Sequence, residues 1–135
     1  MLLLLTDENT TPAVAEQVQS KRPDITIQSL HRWRGGAFLG KADRLLIEAA
    51  HSEGWTLLTY DQKTIPPLLM ELAAVGADHS GVVFVDEETI ASRDIGGLVK
   101  AILVLFDRCA AWDWANRISF LDTAPLHDST IDRVK

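Results

Sequence analysis

Gly54-Trp55-Thr56-Leu57-Leu58-Thr59-Tyr60-Asp61 is the stretch on which the fold turns. A glycine, the residue type that accepts the left-handed turn ending a helix, is followed by a short apolar segment and then by an acid. Upstream, Ala42 to Glu53 has the spacing of the helix that Gly54 stops. Leu2 to Leu5 is a second continuous apolar run, as expected of a strand buried on both faces, and it too runs into an acid, Asp7. Thr11-Pro12 supplies an N-cap and a proline for a helix to about Ser20, which Pro23 breaks. Ile25, Ile27 and Leu30 mark a second strand. Downstream, Pro66 and Pro67 open a helix closing at Gly76, and Gly81 to Val85 is a fourth strand. A long helix over roughly 95–115 and a fifth strand over 118–121 complete the pattern.

Strand–helix alternation at this spacing predicts right-handed crossovers and a parallel sheet covered on both faces. The expected fold class is α/β, a doubly wound three-layer sandwich of four to five strands in the order 2-1-3-4-5. Its ligand crevice lies at the carboxyl ends of the strands, between the first and third. The expected domain is residues 1–122, with 123–135 as a polar, frayed tail.

Composition sets the outer limits. The 135 residues suit one domain, with 47% hydrophobic and 24% charged residues. The longest apolar run, Ala101 to Phe106, has six residues, far short of the ~20 of a membrane helix, so no membrane association is expected. Met1 to Leu5 lacks a basic flank and reads as a strand rather than a signal peptide. One cysteine, Cys109, excludes an internal disulfide and a multi-cysteine metal site, and fits a reducing cytoplasm. No two of the four histidines stand at ligand spacing. The net charge of −6 opposes nonspecific coating of nucleic acid and suits a metal cluster or a basic protein partner.

In the 2-1-3-4-5 order Asp7 and Asp61, each just past a strand, become neighbours. Asp43 begins the helix feeding the third strand, and Asp86 ends the fourth. Crowded carboxylates repel unless a cation neutralises them, and an all-oxygen set suits Mg²⁺ or Mn²⁺. Each acid also has a plainer reading: Asp7 and Asp43 as helix caps, Asp61 as turn chemistry.

Leu4-Leu5-Thr6-Asp7-Glu8-Asn9-Thr10-Thr11-Pro12 resembles the opening of the PIN-like domain family, "L-x-D-E-N-x-x-P". Ala42-Asp43-x-x-Leu46-Ile47-x-Ala49-Ala50, with Gly54 to Asp61, resembles that family's "A-D-x-x-I-x-x-A … G-x-x-L-x-T-x-D" pattern. The resemblance covers residues 1 to about 85, and is to the compact members often paired with small antitoxin-type proteins. It implies a ribonuclease dependent on one or two Mg²⁺ or Mn²⁺ ions, with Asp7, Asp43 and Asp61 as catalytic metal ligands. It also implies that Glu8, Asn9 and Thr59 order the loops around them. The fourth acid that most such nucleases carry has no match here: Asp24 precedes a strand, Glu48 sits on a solvated helix face, and Asp86 is the geometric substitute. The alternative is a non-catalytic module whose acidic pocket binds a metal or a basic partner.

Arg32, Trp33, Arg34 and Lys41 form a basic, aromatic loop, expected either to hold RNA phosphates with Trp33 stacked on a base, or to be an ordinary surface loop with Trp33 covering the sheet. Gly35-x-x-x-x-Gly40-Lys41-Ala42 misses a P-loop by the hydroxyl that Ala42 lacks. A receiver-type phosphoacceptor domain shares the strand order, but would need a hydroxyl and a lysine where Asp86 and Asp122 stand. On the long helix Leu98, Ile102, Leu105 and Phe106 read as core and Cys109 as buried. An exposed Trp112 or Trp114 would mark a homodimer or antitoxin surface.

Overall fold

The computed structural model describes residues 1–123. Five strands, β1 (Leu4–Thr6), β2 (Ile27–Ser29), β3 (Thr56–Thr59), β4 (Val82–Phe84) and β5 (Ile118–Phe120), form one parallel sheet in the order β2-β1-β3-β4-β5. Four helices alternate with them: α1 (Pro12–Lys21), α2 (Asp43–Glu53), α3 (Ile65–Ala74) and α4 (Ile95–Cys109). The expected α/β class and strand order are those of the molecule. The expected tail lies outside the described residues, apart from Thr123. No helix among the described residues is long and apolar enough to cross a membrane.

The two-residue repeat of the strands sorts their side chains between two cores. Leu4, Leu58, Val83 and Val85 pack under α1 and α4 with Val14, Val18, Leu98 and Ile102. Leu5, Leu57, Val82 and Phe84 pack under α2 and α3 with Ile47, Leu68 and Leu72. Burial on both faces is why these strands read as continuous apolar runs rather than alternating ones.

Local chemistry sets the ends. The Thr11 hydroxyl accepts from the Ala13 N–H, and Pro12 occupies the first position of α1. Gly54, at φ 81°, ends α2 in the left-handed conformation, and its N–H returns to the carbonyls of Ala50 and His51. β1 begins two residues after the start of the apolar run and ends one residue past it, at Thr6. The long helix corrects a second expectation: α4 stops at Cys109 and does not reach Ala115. The Trp114 indole N–H donates to the Cys109 carbonyl at 3.0 Å, Asp113 accepts from the Ala115 N–H, and Asn116 turns the chain at φ 59°. These side-chain partners satisfy groups that another turn of helix would have used.

Candidate metal site

The carboxyl ends of β1 and β3 meet at the switch point of the sheet, above a cavity of about 260 Å³. Asp7, Glu8, Asp43 and Asp61 all border it, with Lys41 as the basic member of its lining. Three of the four expected metal ligands therefore share one pocket. Asp86 does not: it lines an adjoining hollow, bordered also by Asn9, Tyr60, Asp61 and Glu87, where its carboxylate accepts from the Glu88 N–H. Its carbonyl accepts from the Thr89 and Ile90 N–H groups, which turns the chain after β4. Asp86 thus stands outside the Asp7 pocket but beside it, joined to it through Asp61 and Asn9, which line both hollows.

Asp7 is 6% exposed and its carboxylate is fully engaged. Oδ1 accepts from the Asn9 N–H at 3.1 Å and the Thr10 hydroxyl at 3.2 Å. Oδ2 accepts from the Thr59 hydroxyl at 2.7 Å and the Tyr60 N–H at 3.3 Å. A carboxylate offers about four lone-pair sites, and here four donors take them. Burial pushes the Asp7 carboxyl above its ordinary value; the four hydrogen bonds pull it down without cancelling that effect. Asp7 thus welds the end of β1 to the end of β3, and to ligate a cation it must release a donor.

Thr59 extends the weld, since its Oγ1 accepts from the Asp61 N–H at 3.0 Å while donating to Asp7. Glu8 ties the neighbouring loop: its carbonyl meets His31 Nε2 at 2.8 Å and its Oε1 accepts from the Gly40 N–H at 3.2 Å. Asn9 acts through its backbone, as the donor to Asp7. All three hold the loops around the pocket through these bonds.

Asp43 and Asp61 are different. Asp61 Oδ1 accepts from the N–H groups of Lys63 and Thr64, at 3.0 and 2.9 Å. Its Oδ2 lies in close contact with the Thr64 hydroxyl, and Asp43 Oδ2 lies 2.9 Å from that same hydroxyl. Burial raises the Asp61 carboxyl, but the Thr64 and Lys63 hydrogen bonds and the Lys63 charge outweigh it, so the group lies below its ordinary value. One hydroxyl proton faces two carboxylate oxygens, so one of them meets lone pairs instead of a donor. Thr64 was not among the expected residues. The signal for it was Asp61-x-x-Thr64 ahead of a proline-led helix, an Asx-type cap spacing. Asp61 is therefore both turn residue and pocket residue.

The basic loop is only partly turned to the pocket. Arg32 pairs with Glu16 at 2.8 Å and Arg34 with Glu53. Trp33 is 5% exposed, its ring 5.1 Å from Phe38 and 6.5 Å from Trp55. The plainer reading of Trp33 is the structural one: it covers the sheet, and the expectation that it stacks on a base is corrected. Lys41 alone of the four borders the cavity.

The donor chemistry fits a hard divalent cation, because every charged donor on the acidic wall is a carboxylate oxygen. The arrangement is a pair rather than a cage: among the described residues no three His, Cys, Asp or Glu side chains gather closely enough to hold an ion alone. Mg²⁺ ordinarily keeps several waters and takes only one or two carboxylates plus substrate phosphates, so a pair suffices for it. Compared with protein-family models, curated proteins and solved structures, the chain matches none.

Proposed function

We propose that the chain is a Mg²⁺- or Mn²⁺-dependent ribonuclease of PIN-like type, working at the Asp43–Asp61 pair. The observation that carries this reading is the surplus of carboxylate oxygen around the Thr64 hydroxyl, at the carboxyl ends of parallel strands where such sheets bind ligands. A bound ion supplies water of lowered pKa and positive charge beside a phosphodiester. Asp43 and Asp61 hold that charge. Asp7, already hydrogen-bonded, is a positioning residue that fixes the two strand ends on which the pair depends. Lys41, exposed at the rim, meets a phosphate oxygen of RNA entering the pocket. The resemblance to compact PIN-like proteins supports a cytoplasmic toxin neutralised by a small antitoxin-type protein.

The saturation of Asp7 favours a second reading, a non-catalytic module whose acidic pocket takes a metal or a basic protein segment. Calorimetric titration of Mn²⁺ into metal-stripped protein separates the outcomes. Wild type binds saturably, and an Asp43→Asn/Asp61→Asn double variant does not. Single-stranded RNA incubated with Mg²⁺ is then cleaved by wild type, with a loss of about 10²–10³-fold in the double variant, typical of removing one set of transition-state charge contacts. Metal binding without cleavage establishes the second reading, and absence of metal binding rejects the ribonuclease.

A further inference from the structure

β5 is an edge of the sheet, and its outer flank differs from that of the opposite edge. In β2 only Gln28 is exposed, between buried Ile27 and Ser29. In β5 Ile118 and Phe120 are 52% and 57% exposed, and Met70 on the adjoining helix α3 is 74% exposed. The three border one largely apolar groove of about 600 Å³. Natural edge strands are usually blunted by lysine, proline or a bulge, and residues 118–120, Ile-Ser-Phe, carry no such guard.

The ladder fixes which backbone groups are spare. The Val82 N–H donates to the Arg117 carbonyl and the Leu121 N–H to the Phe84 carbonyl, both at 2.9 Å. Residues 117, 119 and 121 therefore turn their backbone groups to β4, and 118 and 120 turn theirs outward. Among the described residues those outward N–H and C=O groups have no partner.

We infer that this edge is where two copies of the chain meet, with β5 pairing antiparallel to β5 of the second copy about Ser119. That register sets Ile118 opposite Phe120 of the second copy. Each such pair exchanges two hydrogen bonds, so the four outward groups of each strand are all satisfied. The same register joins a β-branched and an aromatic side chain on the groove face, a favourable cross-strand pair. Charge selects the antiparallel sense. Arg117 precedes the strand and Asp122 follows it, so an antiparallel partner brings unlike ends together where a parallel one stacks like on like. The chain carries a net charge of −6 and repels its copy over most of its surface, but residues 118–121 bear no charge. Of the two tryptophans expected to mark a surface if exposed, one is. Trp114 is buried, while Trp112 stays 42% exposed with the Arg117 guanidinium over its ring, 4.6 Å from the ring centre.

Sedimentation equilibrium of the full chain tests this, alongside Ile118→Lys, Phe120→Pro and, on the opposite edge, Gln28→Lys. Wild type and Gln28→Lys sediment as dimers. Ile118→Lys puts like charge across the two-fold, and Phe120→Pro deletes two of the four bonds without touching the β4 ladder. Each raises the dimer dissociation constant at least tenfold, about 1.4 kcal/mol. Thermal melts followed by circular dichroism confirm that Ile118→Lys, an exposed position, stays folded and decides the matter even where the proline variant does not. A wild-type monomer at about 0.1 mM, a dissociation constant above the micromolar range, overturns the inference. So does a dimer that Ile118→Lys leaves intact.

Discussion

Asp7 concentrates the chemistry of the crevice into one side chain. Its two oxygens serve different backbone donors, Asn9 on Oδ1 and Tyr60 on Oδ2. An asparagine there has one oxygen, so whichever way its amide turns, one of those N–H groups faces an NH₂. Asp7→Asn is therefore expected to lower stability by about 1–3 kcal/mol, the cost of an unsatisfied buried donor, as read from urea denaturation. The pH profile distinguishes this from a packing defect. The folded Asp7 carboxyl, raised by burial, holds its proton at higher pH than the unfolded chain does. The folded state then binds more protons in that window, so the contribution is full below the unfolded value and fades as pH rises through the folded one. Asp61, lowered, runs the other way and loses its contribution as pH falls through its folded value. The gap between wild type and Asp7→Asn should widen toward acid, and a gap independent of pH would contradict the assignment.

At the scale of elements, the entry to β4 is a joint closed by backbone. Gly81 adopts φ +99°, and a Cβ there would sit 2.6 Å from the Trp114 carbonyl oxygen and 3.3 Å from Thr56 Cγ2. At Gly54, φ +81°, a Cβ would meet only Leu3 Cδ1 at 3.8 Å. Gly54→Ala should cost about 1–2 kcal/mol, from backbone strain alone. Gly81→Ala adds overpacking and should cost about 2–5 kcal/mol, with thermal denaturation giving the order of the two. These joints bear on how much of the molecule was legible beforehand. Strand order followed from apolar runs alternating with helices that Pro23, Gly54 and Gly76 end, which are local signals. The neighbourhood of Asp7, Asp43 and Asp61 followed from that order. The end of α4 did not, because Trp112 and Trp114 prolong the amphipathic pattern, while the bond that stops the helix joins Trp114 to Cys109 across the turn. Thr64 and Asp86 were hidden for a related reason. Which way a hydroxyl or carboxylate faces depends on the turn carrying it, and both turns are held by bonds to the next few residues.

For the whole molecule, a cation held only by the folded arrangement of Asp43 and Asp61 must stabilise the fold by linkage. At free Mn²⁺ one hundred times the dissociation constant, the expected gain is about 2.7 kcal/mol. For a chain of 135 residues that is a rise of roughly 10 °C in Tm. Scanning calorimetry with and without Mn²⁺ should show the rise in wild type and none in the Asp43→Asn/Asp61→Asn variant.

Cys109, the chain's one cysteine, closes α4 inside the core beneath α1. Burial raises its thiol pKa and so suppresses the thiolate, the form that reacts. Cys109 is 8% exposed, so a maleimide or disulfide reagent reaches it chiefly when the end of α4 lifts from the sheet. Its labelling rate is thus a clock for that opening, set by the free energy of the lifted state when closing outpaces the reagent. The protein carries, without engineering, a single-site probe of its own breathing on the face opposite the acidic pocket.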